Sequence, residues 1–343
     1  MRCWPQSRQT LHRLGNAPRG PEGRSNHRLE RTAQYTARAM ADLPTAASRA
    51  LDPQAVARAL RRLAAAPQAP WLHGEVARRM GERLALIRAR PARVLDWWGG
   101  LGHGAAVLEV AYPQARRVVV EPDAHWLERS RTAALGPWWS PRRWGGSPVE
   151  VLSESGPIAG PAQLVWSNMM LHAVADPPRL FERWEGLLER EGFVMFSCLG
   201  PGTLRQLREL YAGSGWPAPM APFVDMHDLG DMLVGAGFAD PVMDQETLTL
   251  RWESAESLLT ELRALGCNAA PDRFAGLRTP RWRTRLLAQL DARRGTDGRI
   301  GLDFEIAYGH AFKAAPRLRA GTPTSISLED MRSMVRAPRP GPR

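Results

Sequence analysis

Apolar positions recur at intervals of three and four over residues 70–88, with Leu72, Val76, Met80, Leu84 and Ile87 on one face. That spacing predicts an amphipathic helix. A second helix is predicted over 53–64. From Ala92 the pattern changes: the apolar run Ala92 to Trp97 ends in glycines and reads as a strand. A helix-like stretch over 103–111, a strand Arg117–Glu121, a helix over 124–134 and a strand near 149–152 follow. The strand Gln163–Ser167 leads into a helix over 177–190, and the run Gly192–Ser197 into a helix over 203–212. Strand and helix alternating through short connections predict a parallel sheet covered on both faces.

The last third breaks this alternation. A helix is predicted over 226–235, with Asp225 as N-cap and Gly237 as its stop. Two strand candidates, Pro241–Leu250 and Leu302–Phe312, are separated by helices over 254–265 and 280–292. Leu302, Phe304, Ile306 and Tyr308 share one face of the second strand. The two would close the same sheet, one of them antiparallel. Residues 1–39 and 316–343 show no apolar period and read as disordered, the first as a basic leader or an overextended start before Met40. Residues 40–90 then form N-terminal helices, and residues 91–315 the main domain.

Charge changes this picture little. The net charge is +11. Residues 1–39 hold eight Arg against Glu22 and Glu30, a net of +6, and residues 316–343 hold six Arg against Glu329 and Asp330, a net of +4. The body is left with +1, which argues against nucleic acid as a partner. No apolar run approaches the roughly 20 residues of a membrane span. Cys3, Cys198 and Cys267 are scattered, with no CxxC pair, so neither a structural metal site nor a disulfide framework is expected, and a reducing, cytoplasmic setting fits.

Candidate chemistry sits in ARVLDWWGGLGHG. An apolar strand ends at Asp96, and a glycine-rich turn and a helix follow, an arrangement in which backbone N–H groups approach a ligand closely. The next strand ends in Glu121, 25 positions after Asp96. A carboxylate there accepts from both hydroxyls of a ribose. Loop and carboxylate together point to an adenosine-type ligand.

These residues resemble a class I methyltransferase: D-x-G-x-G-x-G after strand one, an acidic end to strand two, and a fourth strand ending near SN. The segments PWLHGEVARRM, LVWSNMMLHAVADPPRLFERWEGLLEREGFVMFSCLGPGTLRQLREL, PFVDMHDLGDMLVGAGFADPVMD and LLTELRALGCNAA sharpen the resemblance. They are similar to the biotin-pathway malonyl-[acyl-carrier protein] O-methyltransferases and to a relative among complex I assembly factors, over about residues 70–313. The resemblance implies an α/β, Rossmann-like, seven-stranded sheet with helices on both faces and an N-terminal helical extension. It implies S-adenosyl-L-methionine as cofactor, held by Asp96, Trp98, Gly100, Gly102, Glu121 and Asn168. It also implies a small acid or acyl-carrier-protein thioester as acceptor, with Asn168, His172 and Arg208 as catalytic candidates and no metal.

The sequence departs from that family at three places. Trp98 stands where the first glycine belongs, Gln163 replaces an acidic residue at the start of strand four, and LSESG offers only Glu154 for an adenine amino group. Thr203 reads as a helix cap or a substrate contact, Arg205 and Arg208 as anion partners or a solvated face, and Phe223 and His227 as acceptor-side residues or ordinary packing. Three other readings stay open: a scaffold that keeps the fold without the chemistry, an enzyme that modifies a protein side chain, and a nicotinamide dehydrogenase. The last is disfavoured by the glycine spacing.

Overall fold

In the computed structural model, residues 51–135 and 149–315 are described. The expectations for residues 1–39 and 316–343 fall outside them. Helices α1 (Pro53–Ala65) and α2 (Trp71–Leu84) come first, then β1 (Arg93–Trp97), the single turn α3 (Gly99–Gly102), α4 (Ala105–Ala111), β2 (Arg116–Glu121), α5 (Ala124–Leu135), β3 (Glu150–Ser153) and β4 (Ala162–Ser167). A 3-10 turn (Leu171–Ala173), α6 (Pro177–Leu187), β5 (Leu188–Leu199), α7 (Arg205–Gly213), α8 (Met226–Gly235), β6 (Phe238–Trp252), α9 (Ala255–Leu265), α10 (Pro280–Asp291) and β7 (Ile300–Lys313) complete the domain.

The seven strands form one sheet in the order β3-β2-β1-β4-β5-β7-β6. The first five are parallel, and β7 runs antiparallel to both its neighbours, β5 and β6. The chain order reverses between β1 and β4, so the carboxyl edge there is the expected ligand crevice of an open α/β sheet. Alternation sends Val94, Leu164, Trp166, Phe193 and Met195 into a core shared with α2, α4, α7, α9 and α10. It sends Leu95, Val165, Val194 and Phe196 into a second core with α1, α5, α6 and α8. Burial on both faces is what the near-continuous apolar strands require.

Caps set the helix limits. Asp52 accepts from the N–H groups of Gln54 and Ala55, and Asp225 from that of His227. Gly237 takes a φ of +99° just past α8, where a side chain would be strained. The structure shortens the predicted 70–88 helix at Leu84 and ends the 177–190 helix at Leu187, because Leu188 already pairs with Ala162 as β5. It lengthens Pro241–Leu250 to the edge strand β6, which pairs with β7 along most of its length.

Candidate functional site

Three non-glycine residues sit in left-handed backbone geometry just beyond carboxyl ends of the parallel strands: Trp98 (φ 54°) after β1, Met169 (φ 54°) after β4 and Leu204 (φ 53°) after β5. Each costs on the order of 1–2 kcal/mol against a right-handed conformation. Among the described residues, His103 (φ 56°) ends the same glycine turn, while Glu191 and Asp240 take such geometry on β5 and β6.

The turn after β1 is held from below. Trp98 donates its backbone N–H to the Val120 carbonyl at 2.7 Å and opens the α3 turn. Under that turn lie two buried carboxylates. Asp96 pairs with Arg117 at 3.1 Å, and a Cβ on Gly99 would fall 2.6 Å from the Asp96 carboxyl carbon. Burial pushes the Asp96 carboxyl up, against the pull of Arg117. Glu121, at the end of β2, accepts through Oε1 from the Gly100 N–H at 2.8 Å and from the Ser130 hydroxyl at 2.5 Å. A Cβ on Gly100 would meet Ser130 Oγ at 2.7 Å and Glu121 Oε1 at 2.9 Å, so only glycine lets the turn come this close. Glu121 Oε2 is buried with no hydrogen-bond partner among the described residues, and burial raises the carboxyl to about 8.

Trp98 is buried, and its indole N–H donates to Glu154 Oε2 at 2.7 Å. Glu154 follows β3, so the indole runs from the end of β1 to the end of β3, across the end of β2 that lies between them. The residue expected to serve an adenine amino group is thus engaged by the residue expected to be a glycine.

Asn168 is fully buried and fully used. Its amide donates to the carbonyls of His73 and Gly102, and its oxygen accepts from the Ser197 hydroxyl at 2.7 Å. A Cβ on Gly102 would fall 3.1 Å from the Asn168 carbonyl oxygen. Asn168 therefore fastens α2, the glycine turn, β4 and β5 together, a supporting rather than a substrate-facing place. Gln163 lies at the opposite edge, where its side chain accepts the Arg93 N–H at 2.7 Å, away from the glycine turn.

Beside the turn lies a cavity of about 410 Å³, within the usual range for small-molecule sites. Leu101, Met169 and His172 line the end nearest the glycine turn. His172 and Phe223 meet edge-on with centroids 5.9 Å apart, so the structure brings these two expected residues together. Thr203 also lines the cavity, but it is no helix cap: its buried hydroxyl donates to the Glu305 carbonyl at 3.0 Å and accepts the Glu305 N–H at 3.1 Å. Arg208 is not brought to the cavity; its guanidinium holds the Pro201 carbonyl. Arg205 is exposed, and His227 pairs with Asp225 on the surface. Among the described residues the charged lining is instead Arg62 from α1 and Arg263 from α9, with no Asp or Glu. Arg62 donates to the backbone carbonyls of Arg263 and Gly266. Sequence reading missed this pair, 201 positions apart, because no local period links them. His73 lies in the wall with Nδ1 2.9 Å from the Leu101 carbonyl oxygen, and burial lowers its pKa to about 4.

The adenosine-type ligand expected from the sequence needs a free carboxylate oxygen and a backbone without side chains in its way. Glu121 Oε2 supplies an unpaired carboxyl oxygen, while the α3 glycines lie against Asp96, Glu121 and Asn168, so the acid fits a ribose of S-adenosylmethionine once the covered strand end is opened.

No protein-family model matches the chain. A malonyl-[acyl-carrier protein] O-methyltransferase of Gallionella capsiferriformans is 39% identical over 252 residues, covering 72% of this chain and 86% of the relative. Enzymes of the same name from Laribacter hongkongensis and Nitrosospira multiformis are 37% and 35% identical, over 78% and 81% of this chain and 89% and 96% of their own. Among solved structures, the YcgJ protein of Bacillus subtilis aligns over 69% of this chain and 98% of its own at 15% identity, with a TM-score of 0.46. The chain belongs to the malonyl-[acyl-carrier protein] O-methyltransferase family, a class of S-adenosylmethionine-dependent enzymes.

Proposed function

We propose that the chain esterifies the free carboxyl of a malonyl group carried as a thioester on acyl carrier protein. The observation that carries this reading is the cavity beside the glycine turn: it is largely apolar, and among the described residues its charged lining is two arginines and no carboxylate. When bound, S-adenosylmethionine supplies an electrophilic methyl group. Glu121, Gly100 and Gly102 are the residues to hold it, with Asp96 and Asn168 fixing the turn from beneath. Trp98 stands in the same turn, beside Glu154.

An acceptor carboxylate with a pKa of about 4 is already ionised at neutral pH, so no general base is required. The chain's task is to exclude water and align the carboxylate. Leu101, Met169, Phe223 and Phe304 are apolar residues that would keep water from the cavity, and His172 lines it with them. Arg62 and Arg263 offer positive charge to the phosphate of a carrier's prosthetic arm. A methyl ester of carrier-bound malonate is the product expected of an enzyme of biotin biosynthesis, the pathway that the sequence resemblance implies.

The test is label transfer. The full-length chain, incubated with methyl-labelled S-adenosylmethionine, is expected to place one base-labile methyl on malonyl-acyl carrier protein. Acetyl-acyl carrier protein, which lacks the free carboxyl, is expected to gain none. Label on the acetyl form or on carrier side chains, or an unlabelled malonyl form, contradicts the reading.

A further inference from the structure

Trp98 is an unusual occupant of a glycine turn. It holds left-handed backbone geometry, and its indole spans from the end of β1 to Glu154 beyond β3. The Glu154 backbone is fixed on both sides: its N–H donates to the Glu121 carbonyl at 2.8 Å, and its carbonyl accepts from Arg183. Only the carboxylate of Glu154 is left to change partner. Directly between the two strand ends sits Glu121, fully buried, with Oε2 unpartnered. A carboxyl oxygen buried without a partner among the described residues is costly.

The chemistry of the Trp98–Glu154 bond is specific. An indole is a flat two-ring system with one N–H donor, and it donates to a carboxylate. Adenine is a flat two-ring system whose amino group donates in the same way. We infer that the Trp98 indole is an internal stand-in for the adenine of the methyl donor, and that the donor binds by displacing it from Glu154. Displacement hands the Glu154 carboxylate from the indole N–H to the adenine amino group and opens Glu121 Oε2 to the ribose hydroxyls. The closed form keeps two acidic residues and the strand end covered while no donor is present. This rests on S-adenosylmethionine being the donor, as proposed above.

Binding of S-adenosylhomocysteine to the full-length chain separates the possibilities, followed by calorimetry and by stopped-flow tryptophan fluorescence. In the unsubstituted chain the association rate is expected to level off at high ligand concentration, because opening of the indole precedes docking. Trp98→Gly, which removes the occupant and its left-handed strain, is expected to bind at least about tenfold tighter, a gain of about 1.4 kcal/mol. Its association rate is expected to rise linearly with ligand concentration. Trp98→Phe keeps a ring but loses the N–H, and is expected to fall between. Affinity unchanged or weakened in a folded Trp98→Gly, or a linear rate in the unsubstituted chain, overturns the inference while leaving the proposed activity standing. Absence of binding in every folded variant overturns both.

Discussion

Glu121 concentrates the physical argument at the scale of a residue. Burial lifts its carboxyl from the ordinary 4.5 to about 8; the Ser130 and Gly100 hydrogen bonds pull it back, and Asp96 and Asp123 add to the rise. The folded chain therefore holds a proton that the unfolded chain gives up between those values. Stability from this group is complete below about pH 4.5 and is lost as pH rises through about 8. Urea midpoints of the free protein are expected to fall between about pH 6 and about pH 9, and Glu121→Gln is expected to flatten much of that fall. An equal slope in both proteins would remove the buried acid from the account. Glu121 itself was legible in the sequence, because an acidic end to a second strand is a local pattern. Its seal was not. Trp98 and Glu154 lie 56 positions apart, and only strand order brings them together.

The elements fix the wall of the acceptor cavity. Strand β7 enters the sheet antiparallel beside β5, pairing Leu199 with Ile306. The loop after β5 is then pinned to β7 three times: Gly200 donates to the Glu305 carbonyl, Leu204 to the Asp303 carbonyl, and Thr203 exchanges two hydrogen bonds with Glu305. Thr203→Val keeps the shape but removes both side-chain bonds at a buried site, and is expected to cost about 1–3 kcal/mol in urea unfolding. Thr203→Ser, which keeps the hydroxyl, is expected to recover most of it. A neutral valine variant would mean that the backbone bonds alone hold the loop. The strands themselves were readable from alternation, and Leu302, Phe304, Ile306 and Tyr308 do share one buried face. Thr203 was read instead as a helix cap, because a threonine before a helical run has that local signature. Its real partner is 102 positions away.

Across the whole molecule, the sequence made the class of fold legible and left the site half written. Period-two and period-3.6 patterns are backbone properties, so sheet, helices and glycine turn followed from them. Side-chain pairings are tertiary. Arg62 and Arg263 entered the cavity wall without any signal, the Asn168 side chain bonds His73, Gly102 and Ser197, and Arg208 holds the Pro201 carbonyl outside the cavity lining. What the described residues present is a mixed sheet whose parallel strands carry, at their carboxyl ends, strained turns, two buried acids and an apolar cavity on one side. The central claim is that this edge holds the methyl donor. A crystal structure of the full-length chain with S-adenosylhomocysteine tests it most directly. The account predicts the nucleoside at the ends of β1, β2 and β3, ribose on Glu121, adenine on Glu154 and the Trp98 indole swung away. A ligand bound elsewhere, or one seated with the Trp98–Glu154 bond intact, would contradict it.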